Sequence, residues 1–294
     1  LLQTIIILRS IPTMAVVREP QAVLQGGLQL QQQMCNAVGP TSPFGTILQL
    51  GSPQNSSFHS LQTTITKRME KHLSISGYYM WAKSLSSVQL ESSGPGGSTA
   101  QNANNLQAER GRTDNDYRHT ATIGIVWQPD YYQGQSRWLR NITNGWEISP
   151  LARLHTGAPF TVTNALDANL DGNTNDRASV IGDPNSSSHS LNQWFNTAAF
   201  AQNPVVNGRP VDGNAPRNFV TGPATHTVDL NLARTFGITE RVKFQFRAEA
   251  SNAFNVVNFA NPDSTVNTAT LGKIRTASPT IPMRQIQFGG KIQF

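Results

Sequence analysis

One run of the chain combines residue types and spacing that could do chemistry: Asp167, Asn169, Asp171, Gly172, Asn173 and Asp176. Oxygen-bearing side chains at the first, third and fifth places, with glycine at the sixth, make the first half of an EF-hand-like calcium loop. A hard divalent cation is held by oxygens, and the glycine permits the sharp turn that folds them around it. The candidate ligands are Asp167, Asn169, Asp171, Asn173 and Asp176. Asp176 would supply the late carboxylate, because the twelfth place is Ala178 and not the usual bidentate glutamate. The competing reading is an Asx-rich loop whose side chains cap its own turns. Calcium is the one cofactor the sequence suggests, and both readings stay open here.

Catalytic patterns are lacking. Six histidines are scattered, with no His-Glu-x-x-His, and there is no Walker A loop, nucleophile elbow or Cys-x-x-Cys. No enzyme activity is expected. The single cysteine, Cys35, excludes an internal disulfide and a multi-cysteine metal site. The net charge of +6 comes from dispersed lysines and arginines. A nucleic-acid partner would need them clustered on one face, so none is expected. Asp229, Lys243, Arg247 and Glu249 are expected on one face of neighbouring strands, as a ladder of ion pairs.

The elements that position these groups are read from period-two alternation. In the last stretch, 284–294, Ile286, Phe288, Ile292 and Phe294 share one face of an extended strand, and Gln285, Gln287, Lys291 and Gln293 share the other. A strand of about 9–11 residues with this alternation crosses a bilayer as one stave of a barrel, its apolar face on lipid and its polar face on a wet lumen. Composition agrees. Only 14% of residues are charged and 37% are hydrophobic, so uncharged polar residues fill the remainder. That suits a lumen and loops better than a close-packed core. Ile5-Ile6-Ile7-Leu8 is far too short for a transmembrane helix.

Six further stretches alternate in the same way: 58–68, 72–82, 120–127, 146–163, 227–232 and 242–250. Met69-Glu70-Lys71 is expected as a tight turn, and a loop is expected over 83–116. The connection 128–145 is of middling length, and 164–224 is the longest irregular stretch. Before residue 45 the pattern is interrupted by Pro12, Pro20 and Gly26-Gly27, with strands conceivable at 14–17 and 21–33. Counted back from Phe294, the connections run long, short, long, middling, long, short. Outer-membrane barrels have short periplasmic turns and long extracellular loops, so loop length must alternate. With Phe294 on the periplasmic side, Trp127, Trp146 and Phe294 form one aromatic girdle, and Tyr79 and Trp81 the other.

The chain resembles the C-terminal part of Oar-like TonB-dependent outer-membrane receptors. The resemblance is carried by Asn55-Ser-Ser-Phe-His-Ser-Leu-Gln62, Tyr79-Met-Trp-Ala-Lys-Ser-Leu85, Glu109-Arg-Gly111, Asp116-Tyr-Arg-His119 and Gly145-Trp146. Further on it is carried by Asp171-Gly172, Asn175-Asp-Arg177, Trp194-Phe-Asn196, Val228-Asp-Leu230 and Phe246-Arg-Ala-Glu-Ala250. It implies a division into a poorly defined N-terminal segment, residues 1–45, and the C-terminal part of the receptor barrel, residues 46–294. The fold class expected is all-β, a transmembrane antiparallel up-and-down β-barrel segment with long extracellular loops, one part of a barrel of roughly 22 strands. The implied location is the outer membrane of a Gram-negative cell. The implied partners are outer-membrane lipid, an unidentified extracellular ligand, and the TonB energy-coupling system reached through an N-terminal plug not seen in this sequence. Leu1 in place of Met and the lack of a leader point to a fragment. Two alternatives remain: a small self-contained outer-membrane barrel serving as adhesin or structural anchor, and a secreted soluble calcium-binding β-protein.

Overall fold

The computed structural model describes residues 2–11, 55–87, 100–102, 105–130, 132–164, 176–185, 189–206 and 209–294. Its main element is an antiparallel sheet whose long strands follow one another in chain order. They are β1 (Leu2–Ile11), β2 (Ser56–Glu70), β3 (Leu73–Ser86), β4 (His119–Trp127), β5 (Trp146–His155), β6 (Thr225–Gly237), β7 (Lys243–Ser251) and β8 (Gln285–Gln293). This is an up-and-down meander, and the seven stretches that alternate in sequence are its strands β2 to β8. β1 adds an eighth strand that pairs with β2 along its whole length. The conceivable strands at 14–17 and 21–33 lie outside the described residues. Among the described residues no helix is long and apolar enough to cross a membrane.

Several expected boundaries move. The turn between β2 and β3 is Lys71-His72, not Met69 to Lys71, and both residues have positive φ, 49° and 66°. A two-residue turn of that hand matches the right-handed twist of the flanking strands. β3 runs on to Ser86, four residues past the expected end of the alternation. The extended stretch from Trp146 stops at His155 and resumes only as the short strand Pro159–Phe160. The middling connection contains a helix, α1 (Arg137–Thr143), capped by the Ser136 side chain accepting from Leu139 N.

Strand register converts the alternation into two chemically distinct faces. One row across four strands reads Ile148, Leu232, Ala248, Phe288. The adjacent row, on the opposite face, reads Ser149, Asn231, Glu249, Gln287. Other rows agree: Gly77, Ile123, Ala152 and Val228 are neighbours on the apolar face. A one-residue slip would exchange the faces, so the pattern fixes the register. Ile123, Leu154, Leu230, Phe236, Ile286, Phe288 and Ile292 on the apolar face are exposed, Phe288 at 70%. A soluble sheet covers such a face with a second layer, whereas here it is left open from β2 to β8.

The buried core lies elsewhere. Phe160, Val162, Ala178, Phe195, Ala199, Phe200, Ala215, Val220 and Val266 pack together in the long connections at one end of the sheet. Phe195 is the hub, its ring 5.8 Å from Phe160 and 5.6 Å from Phe200. The stretch expected to be irregular thus folds into a cap of short paired segments: Pro159–Phe160 with Val220–Thr221, Ser179–Val180 with Phe200–Ala201, and Val205–Val206 with Arg209–Pro210.

Candidate functional site

Two places concentrate polar chemistry: the inward face of the sheet and the cap above its long-loop end. On the inward face, Arg153 of β5 donates to Asp229 of β6 at 2.7 Å. Arg247 and Glu249 on β7 stand 4.0 Å apart. The expected ladder of Asp229, Lys243, Arg247 and Glu249 therefore shares a face, but the close partner of Asp229 is Arg153, which the sequence reading missed. At the short-loop end, a cavity of about 280 Å³ is lined by His72, Gln128, Asp130, Glu147, Gln245 and others. Gln128 donates to Glu147 there at 3.1 Å.

The cap is tied together by buried charge. Arg177 places Nη1 2.8 and 2.9 Å from the two carboxylate oxygens of Glu109, and donates through Nε to Ala215 O at 2.8 Å. Asp116, 1% exposed, accepts from Ser84 N at the end of β3 and from Arg112 Nε, both at 2.7 Å. Asn218 donates to Arg112 O and to Asp114 Oδ1, and Trp194 Nε1 donates to Thr221 O. Arg217 is 3% exposed; its Nη2 donates to Ser86 O, and its Nε and Nη1 have no partner among the described residues. Burial holds the Arg217 guanidinium below its ordinary pKa and Arg177 pushes the same way, while Glu109 and Asp114 oppose them. The last long loop is tied down separately. Asn252 N donates to Asp229 Oδ1 at 2.9 Å, and His226 N donates to Asn258 Oδ1 at 2.8 Å.

Of the candidate calcium ligands, Asp167, Asn169, Asp171 and Asn173 lie outside the described residues. Asp176 is described and is fully buried, its carbonyl accepting from Asn164 N at 2.8 Å. With the bridge between Thr163 and Arg177, that bond closes the base of the loop. Ala178, at the twelfth place, is 0% exposed in the cap core and donates its N–H to Val162 O at 3.0 Å. The end of the motif thus turns into the core. Among the described residues no group of three or more His, Cys, Asp or Glu is placed to hold a metal ion. The Arg177–Glu109 pair escaped the sequence reading because no spacing rule links residues in two different long loops.

A meander with one open apolar face, one polar face and alternating loop lengths is the wall of an outer-membrane β-barrel. The chain belongs to the outer membrane beta barrel domain family, whose model matches residues 15–287. The outer membrane is accordingly its location, and its fold is the all-β barrel fold. Neither a curated protein nor a solved structure matches the chain.

Proposed function

We propose that this chain is the C-terminal wall of a TonB-dependent receptor, taking up a ligand caught by the extracellular loops. The observation that carries the reading is the open strand path. Among the described residues β1 and β8 each pair on one side only, so the wall has two edges. Open edges are not tolerated in lipid, and further strands of a larger barrel would close them. The motif resemblance supports the receptor class, and a 22-stranded barrel with a plugged lumen is the architecture of such transporters. The cap supports a capture role: its loops are held by buried ion pairs, while Phe254, Ile181 and Val205 are 73%, 69% and 64% exposed. In this reading the protein has no enzymatic role, and energy reaches it through a plug contributed by the rest of the receptor.

One observation favours the smaller alternative, an adhesin or structural anchor. Among the described residues the long strands number eight, the minimum for a self-contained barrel. An immunoblot of outer membranes with an antibody to the cap separates the two. The receptor reading expects a heat-modifiable band far above the 32.1 kDa of this chain. A monodisperse, heat-modifiable protein of about this chain's own mass overturns it and supports the small barrel.

A further inference from the structure

We infer that helix α1 is a membrane-interface anchor that lies in the phospholipid headgroup layer of the periplasmic leaflet. The inference rests on the lipid-facing wall described above. The helix sits at the short-loop end of the sheet, between β4 and β5. Its C-terminus is held by two side chains of the apolar face. Trp146 Nε1 donates to Ile142 O at 2.7 Å, and Arg234 Nη1 reaches the same oxygen at 3.5 Å. Trp146 and Arg234 are register partners, and Arg234 also pairs with Phe246 on the apolar face. The Arg234 guanidinium lies 5.2 Å from the Trp146 ring centre and 4.6 Å from that of Phe236. The helix is therefore drawn to the lipid side of the wall, at the level where a cation among aromatics belongs.

What the helix exposes fits that place. Trp138 is 71% exposed, Ile142 49% and Leu139 39%. Positions 138 and 142 are one turn apart and 139 neighbours 142 three residues on, so the three line one apolar side through Ile142. Arg140, two residues from both Trp138 and Ile142 and so on the opposite side of the helix, donates to Gly134 O and makes the polar side cationic. Asn144 ties the segment back by exchanging two hydrogen bonds with Tyr132. An apolar patch continuous with a lipid-facing band, with arginine on the opposite helix side and Arg234 at its end, is the arrangement that settles at a headgroup boundary, where the phosphates meet the cations.

The test is depth measurement with a spin label in the intact outer-membrane protein that contains this chain, reconstituted in phosphatidylethanolamine–phosphatidylglycerol vesicles. In a Cys35→Ser background the label is carried by Trp138→Cys, with Phe288→Cys as the hydrocarbon reference and Glu240→Cys as the aqueous one. Collisions with oxygen and with a nickel chelate should place the label at 138 between the references, ~5–10 Å into the headgroup–acyl boundary. A label at 138 as open to nickel as that at 240 overturns the inference, because the helix then stands in water. Shielding from both reagents overturns it too, in favour of a protein contact such as a second copy. An aqueous result at 288 fails the lipid-facing wall itself, which is a different and distinguishable outcome.

Discussion

Arg177 and Glu109 meet inside the cap with both carboxylate oxygens within 2.9 Å of one guanidinium nitrogen, joining two extracellular loops whose contact residues are 68 apart in sequence. Each side chain is 8% exposed. Removing one partner from a buried pair leaves an uncompensated charge and costs about 3–5 kcal/mol. Glu109→Leu should therefore loosen the cap, and limited proteolysis of the folded protein should speed up by about a hundredfold or more where cleavage follows local opening. The double variant Glu109→Leu/Arg177→Met removes both charges and should be less damaging than Glu109→Leu alone. Strictly additive losses would contradict a coupled pair.

Close backbone approach gives a second test. A Cβ on Gly157, just past β5, would lie 1.7 Å from Gly222 O, while Gly222 N donates to Ala158 O at 2.9 Å. The two strand exits are thus packed main chain to main chain. Gly157→Ala should cost at least the ~1–3 kcal/mol typical of overpacking. Gly237→Ala, where nothing lies within 4 Å, should be close to neutral. Thermal unfolding of the reconstituted variants compares them, and equal losses would deny the close packing.

Asp263 supplies a pH dependence. Burial alone would raise its pKa, but hydrogen bonds from Thr270 and Thr265, with the charge of Arg275, bring it below the ordinary carboxylate value. A group with a depressed folded pKa contributes stability above its unfolded pKa of about 3.9 and loses it as pH falls through the folded value. The turn closed by Gly272 N on Asp263 O should loosen only below about pH 4. Hydrogen exchange followed from pH 6 downward should show that step in the native chain and not in Asp263→Asn. The same step in both would remove Asp263 as its cause.

Much of the wall was legible because period-two alternation is local: Val228, Leu230 and Leu232 against Asp229 and Asn231 need no knowledge of the neighbours. β1 was not legible because Ile5, Ile6, Ile7 and Leu8 run consecutively and erase the alternation. Helix α1 hid in a connection too short to show a period. The cap was illegible for another reason. Its core gathers Phe160, Phe195, Ala215 and Val266 from across two loops, so no window of sequence contains it. The Asp/Asn run was the most conspicuous chemistry in the sequence; of its candidate ligands only Asp176 is described, and it, Arg177 and Ala178 are buried in the cap.

Calcium at 167–176 should accordingly be weak, in the extracellular range of ~10⁻⁴–10⁻³ M. Calorimetric titration of the full chain, with Asp171→Ala as control, measures it. Equal heats for the two proteins would leave the Asx-turn reading alone.

Whether the apolar face meets lipid can be measured on β7. Phe246 lies on the apolar face beside Phe288, the ring centres 6.3 Å apart, whereas Gln245 belongs to the inward face opposite Thr235 and Lys291. Reversible unfolding of the intact, full-length protein in lipid vesicles should show Phe246→Lys destabilised by roughly 2–4 kcal/mol and Gln245→Lys by little, since a charge is costly on the lipid face and tolerated in a wet lumen. Phe246→Leu is the discriminating control, because lipid accepts leucine with little loss and a close-packed protein interior does not. Phe246→Leu should stay near the parent in stability. Damage as large as that of Phe246→Lys would mean the apolar face packs on protein, contradicting the account.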